Sequence, residues 1–203
     1  LLNSVCYEMD PLTPFLPTSP IEGVGHGDYR FLGDGGRDIF QLFQPAKNTA
    51  YTEFGCPGPA PLAALKSFLP ADELWPPRPG GSWEIHHAFG AWAAHPDTWL
   101  CVGTLDRLFG PSDSLEELLA RGEWLQGEGY RSVYEEARRQ WPRCSMALNW
   151  CFNEPWPCAA NNSLVHWPCE PKAALDAVRL ACRPMLASAR IPKFQWAANE
   201  DFT

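Results

Sequence analysis

Two short apolar runs, each followed by a stretch with helical spacing, organise the chain. Residues 48–54 end in Ala-Tyr-Thr-Glu-Phe, are closed by Gly55 and Pro57, and predict a strand. Residues 61–69 fit a short helix with proline in its first turn. A long helix is predicted from about 112 to 140, with Ser112 or Asp113 as cap, Glu116 and Glu117 in its first turn, and Leu115, Leu118, Leu119, Trp124, Val133 and Tyr134 among its apolar positions. Gly127 and Gly129 mark a weak point where that helix is expected to kink or divide. Residues 143–152 form the second strand-like run. Residues 171–182 give a last helix, with Ala174, Leu175, Val178 and Ala181 on one face.

The remaining segments predict loops. Pro11, Pro14, Pro17 and Pro20 forbid helix around them, so residues 1–20 are expected to emerge from an element into an extended loop. Residues 21–38 are rich in glycine and aspartate, 39–43 could form a short helix before Pro45, and 70–96 form a long loop dense in proline, glycine and tryptophan. Strand, helix, strand, helix is the grammar of a parallel α/β sheet or barrel. With only two full units readable, the expected fold class is α/β, a partial (β/α)8 TIM barrel made of closing strands and helices with long loops. The 203 residues also fall short of the about 250 of a complete barrel.

Composition narrows the function. A net charge of −8 argues against nucleic-acid or anionic-membrane partners, and no run of about 18 apolar residues is present to span a bilayer. The 10 tryptophans suit a sugar-binding cleft, because flat rings stack on the apolar faces of pyranoses; filling a core is the plainer use of such rings. The eight cysteines include no Cys-x-x-Cys, and Cys144, Cys151 and Cys158 are spaced at seven, which matches no zinc pattern. Free thiols are expected, with one or two disulfides as the alternative. His86 and His87 lack an acidic or cysteine companion at ligand spacing, so neither metal nor cofactor is expected.

Candidate chemistry sits at the ends of the two apolar runs. Glu53 precedes Phe54-Gly55, and Glu154 follows Trp150-Cys151-Phe152-Asn153. Acids at strand ends are where α/β barrels keep their chemistry, and paired carboxylates cleave glycosides. An exposed acid at a strand–turn junction is the bland reading of either one. Trp150 is the candidate floor under a sugar. Asn153 and Glu154 are candidates to bond sugar hydroxyls or to hold neighbouring residues, and His26 and Asp28 are weaker loop candidates. Asn161-Asn162-Ser163 matches a glycosylation acceptor by pattern.

These strings together resemble the end of the catalytic barrel of glycoside hydrolase family two, nearest to its β-mannosidase-like members. Thr52-Glu53-Phe54-Gly55 is similar to the family's Ser-Glu-Phe/Tyr-Gly on the seventh strand. Trp150-Cys151-Phe152-Asn153-Glu154-Pro155-Trp156-Pro157 is similar to its eighth-strand Trp-Gln-Leu-Asn-Asp-x-Trp-Pro, with Glu for Asp. Residues 10–20 resemble the family's proline-rich loop, Gly27-Asp28-Tyr29 its Gly-Asp-x-His segment, and Ser163-Leu164-Val165 with Pro171-Lys172 its tail. Arg30 stands where the family tends to have a substrate-contacting histidine, and His166 replaces an aspartate.

The resemblance implies that residues 1–203 are the carboxyl-terminal portion of a catalytic barrel whose nucleophile is Glu53. The acid/base glutamate, and the rest of the barrel as a partner, are expected upstream of Leu1. The implied function is a retaining exo-β-glycosidase acting on an oligosaccharide or glycoside, inactive as an isolated piece. A different assignment makes Glu154 of Asn153-Glu154-Pro155 the acid/base, but only 49 residues follow it (203 − 154) and none presents an acid at a strand end. A non-catalytic carbohydrate-binding protein on a degenerate barrel is the alternative function.

Overall fold

Three short strands form a parallel sheet in the order β1-β2-β4: β1 (Val24–His26), β2 (Ala50–Phe54) and β4 (Met146–Asn149). The structure is a computed structural model and describes residues 2–27, 29–32, 36–38, 42–91, 99–192 and 196–201. Parallel neighbours need long crossovers. The crossover from β2 to β4 carries β3 (Gly58–Pro59), α2 (Leu62–Phe68), α3 (Ser82–Ile85), α4 (Val102–Phe109) and the 25-residue α5 (Leu115–Arg139). Beyond β4 come β5 (Ala160–Asn161), β6 (Val165–His166), β7 (Glu170–Pro171) and α6 (Ala173–Ala181), which packs on α5. The first helix, α1 (Leu2–Met9), buries none of its residues. The mixed α/β architecture with a parallel sheet agrees with the expected class.

The core lies between the sheet and α5. Tyr51 and Phe54 of β2 pack there with Tyr130 and Val133 of α5, and with Leu65, Leu105 and Leu118. The cap of α5 is Ser114 rather than the expected Ser112 or Asp113: Ser114 Oγ accepts from the Glu117 amide at 3.2 Å, and the Glu117 carboxylate accepts from the Asp113 amide at 2.8 Å, in the manner of a capping box. Arg138 and Arg139 close its last turn, the favourable end for cations.

Several expectations are corrected. α5 runs unbroken through Gly127 and Gly129. At Gly129 a Cβ would meet Phe31 Cε1 at 2.7 Å and Cys56 Sγ at 2.9 Å, so this glycine admits a close neighbour rather than weakening the helix. Residues 21–38, expected as loop, contain β1; residues 2–9 form the element from which the chain was expected to emerge, a helix that ends before Pro11. The loop after residue 70 contains α3, and the helix expected at 39–43 lies partly outside the described residues. All eight cysteines are free, in line with the expected free thiols. Asn161, Asn162 and Ser163 are all buried, which closes the glycosylation pattern to modification in the folded chain.

Two alanine substitutions separate helix propensity from packing. Gly127→Ala meets only Ala177 Cβ, at an ordinary 3.5 Å, and is expected to stabilise by about 0.5–1 kcal/mol. Gly129→Ala gains the same propensity but overpacks Phe31 and Cys56, and is expected to lose about 1–3 kcal/mol. Denaturant melts of the two variants check the opposite signs.

Candidate active site

Strand register brings the first candidates together. His26 of β1 pairs with Glu53 of β2, and Phe54 pairs with Asn149 of β4, so all four sit at the carboxyl end of the sheet. Strict alternation would hide Glu53 on the face of Tyr51. The β2–β4 register shifts between Tyr51 and Phe54 instead, leaving both Thr52 and Glu53 half-exposed between two buried aromatics. Such irregularities re-aim a side chain.

Both carboxylate oxygens of Glu53 have neighbours. The Tyr29 hydroxyl donates to Oε1, and His26 Nε2 lies 3.8 Å from Oε2, close enough for an ion pair when the imidazole is protonated. His26 Nε2 is also 3.0 Å from Ser19 Oγ, which bonds in turn with Thr52 Oγ1. Burial, reinforced by the neighbouring Glu53, pushes the Tyr29 hydroxyl far above its ordinary value of 10.0, so it keeps its proton and donates. Gly55 is required beside this pair, because a Cβ there would meet Tyr29 Cδ1 and Asn162 Cγ, each at 2.6 Å.

Trp150 is placed by a backbone bond from its amide to Phe54 O at 2.8 Å, and by an edge contact with the Tyr29 ring at 5.7 Å and 82°. It is 46% exposed, so one flank of the Glu53–Tyr29 pair carries an indole open to solvent. Asn153 is exposed and bridges to Val165 in parallel register. Asp28 lies outside the described residues. Among the described residues, no group of three His, Cys, Asp or Glu is arranged to hold a metal. Sequence reasoning singled out neither Tyr29 nor Ser19, although both lie in the Gly27-Asp28-Tyr29 and proline-loop strings.

Glu154 occupies a different environment from Glu53. It is 3% exposed: Ser163 Oγ donates to Oε1, the Trp167 amide donates to Oε2 at 3.2 Å, and Lys172 Nζ lies 3.8 Å from Oε1. These contacts set it among neighbours rather than toward the open end of the sheet where Glu53 lies. Lys172 is buried as well, and donates to Gly58 O at 3.1 Å and Asn161 O at 3.2 Å. Burial pulls its ammonium down to about 8 from an ordinary 10.5, against the opposing pull of Glu154.

Removing one member of a buried pair costs more than removing both. Lys172→Met is expected to destabilise by about 3–5 kcal/mol, and Glu154→Gln/Lys172→Met by less than the sum of the single changes. The pH dependence has a definite sign. Between about pH 8 and 10.5 the unfolded chain holds the Lys172 proton more tightly than the folded one, so this group's contribution to stability rises with pH across that window and is lost as pH falls through 8. The difference in stability between wild type and Lys172→Met, followed by denaturant melts from pH 7 to 10, reads that slope.

No protein-family model matches the chain. In sequence it is 26% identical over 199 residues to beta-mannosidase B of Thermothelomyces thermophilus, an alignment covering 91% of this chain and 23% of that protein. In structure it is similar to the beta-D-mannosidase of Dictyoglomus thermophilum, with a TM-score of 0.73, 20% identity, and coverage of 89% of this chain and 22% of the other. The exo-chitosanase of Amycolatopsis orientalis follows with a TM-score of 0.60 and 18% identity, covering 83% of this chain and 20% of that one. The chain is thus similar in sequence to one β-mannosidase and in fold to another, and it spans less than a quarter of the length of each.

Proposed function

We propose that this chain contributes the nucleophile to a retaining exo-β-glycosidase of β-mannosidase type. The observation that carries the reading is Glu53 at the carboxyl end of the central strand, one oxygen held by the protonated Tyr29, the other beside His26, and an open indole alongside. In the first step a Glu53 oxygen attacks the anomeric carbon, the bond to the leaving-group oxygen breaks, and that oxygen takes a proton from a second carboxyl about 5–5.5 Å away. Water then attacks the glycosyl-enzyme, gives its proton to the same carboxyl, and releases Glu53. Tyr29 acts by fixing the attacking carboxylate rather than by titrating. Trp150 supplies a face for the bound sugar, while Asn153, with His26 and Asp28, supplies polar groups for its hydroxyls.

Glu154 holds the connection after β4 in place and leaves the acid/base role to a residue upstream of Leu1. The same reading makes the three parallel strands the closing part of a (β/α)8 barrel. Met146 and Leu148 of β4, both exposed, are the face on which the rest of that barrel would close.

Glu53→Gln in the longer enzyme this reading requires is expected to lower kcat by orders of magnitude with little loss of stability, and a 2-deoxy-2-fluoro β-glycoside to label the peptide carrying Glu53. Labelling of Glu154 would refute the assignment; no labelling and no turnover, with sugar binding retained, would favour the carbohydrate-binding alternative. Trp150→Ala is expected to lose roughly 1–3 kcal/mol in kcat/KM, by analogy with base–aromatic stacking. Unchanged kinetics with a collapsed melting temperature would show that its ring serves packing instead. Residues 1–203 expressed alone are expected to hydrolyse no aryl β-glycoside, and turnover by that piece would overturn the external acid/base.

A further inference from the structure

Trp156 is the outer ring of a three-ring stack that the chemistry above does not use. Its indole lies on the His86 imidazole with centroids 5.6 Å apart and planes at 19°, and His86 lies on Phe68 at 4.6 Å and 35°. His86 is fixed by backbone of the same connection as Trp156: Nδ1 is 2.8 Å from Pro157 O, and the His86 carbonyl accepts from the Ala159 amide at 2.6 Å. Phe68 ends α2 and His86 follows α3, both in the crossover leaving β2, whereas Trp156 lies in the connection leaving β4. The stack therefore joins the connection that follows Glu53 to the one that carries Trp150.

His86 stacks on the Trp156 indole, and the residue as a whole is 41% exposed. An indole backed by a stacked ring and partly open to solvent is held in orientation before any ligand arrives, and a ligand that stacks on it loses little to ordering the protein. The complementary surface is a flat, partly apolar ring, which a pyranose offers through its C–H face. Two residues upstream, buried Glu154 anchors the backbone from which Trp156 projects. Trp150, six positions before Trp156, is the ring in contact with Tyr29 and so with the Glu53 end.

We propose that Trp156, backed by His86, is a second sugar-stacking position, taking the pyranose on the leaving-group side of the bond that is cut. The inference rests on the exo-glycosidase reading: with the terminal sugar at Glu53, any further sugar of the substrate belongs to the leaving group. The ligand class is a neutral β-linked di- or oligosaccharide rather than a simple alkyl glycoside.

The experiment compares a β-linked mannose disaccharide with methyl β-mannoside in the full enzyme. For Trp156→Ala the ratio of the two kcat/KM values is expected to fall roughly 5- to 150-fold, chiefly through a higher KM for the disaccharide. Trp156→Phe and His86→Phe should restore much of the ratio, and His86→Ala should lower it in the same direction. An unchanged ratio in Trp156→Ala, whether both activities fall together or neither moves, overturns the proposal. If the wild-type enzyme cleaves neither substrate, the glycosidase reading fails on its own. Calorimetric titration with the disaccharide then decides the stacking position: an isotherm lost in Trp156→Ala supports it, and equal isotherms, or none, overturn it.

Discussion

The Lys172 ammonium is the point on which the architecture beside Glu53 depends. β3 and β5 are only two residues long each, too short to satisfy their own backbone, and they are buried. Gly58 O and Asn161 O, one from each, both accept from Lys172 Nζ. Gln126 of α5 adds bonds to Cys56 O at 2.9 Å and Asn161 O at 3.0 Å. A buried carbonyl without a donor costs free energy comparable to a lost hydrogen bond. One cation and one amide thus supply what a longer ladder would have supplied, and fasten the chain three residues beyond Glu53 to the helix behind it.

The charge at that point needs a counter-charge, and its source ties the second connection to the first. Glu154 is that counter-ion, with Ser163 and the Trp167 amide completing its bonds. A buried ion pair is weak evidence for net stability, because desolvation offsets much of the attraction. Its value here is positional. A longer or shorter chain between Asn153 and Ser163 would leave a buried charge unmatched, so the Trp150–Glu154 segment has a single low-energy placement relative to β2.

Much of this was legible in residues and much was not. The 48–54 strand, the long capped helix and the last helix follow from local propensity and periodicity, and their ends lie within a few residues of expectation. β1 was not legible: Val24-Gly25-His26 carries one apolar side chain in three, and its existence depends on pairing with β2. The glycines of α5 misled because propensity counts the cost of a missing side chain but not the neighbour that the gap admits. Glu53 and Glu154 look alike as strand-end acids. What separates them is tertiary: a register shift that turns one toward solvent, and a lysine eighteen residues downstream that draws the other inward.

Tyr29 shows the same separation at the scale of one bond. A phenol in a glycine-rich stretch has no periodic signature, and its role arises only where Gly55 lets its ring close against β2. There it does two things with one side chain: its hydroxyl holds a Glu53 oxygen, and its ring makes an edge-to-face contact with Trp150. Burial keeps the hydroxyl protonated far into the alkaline range, so this link keeps its donor across the window in which Lys172 gives up its proton. The two halves of the site therefore respond differently to pH. The Glu53–Tyr29–Trp150 contact keeps its donor, while the support behind β3 and β5 is the part that titrates.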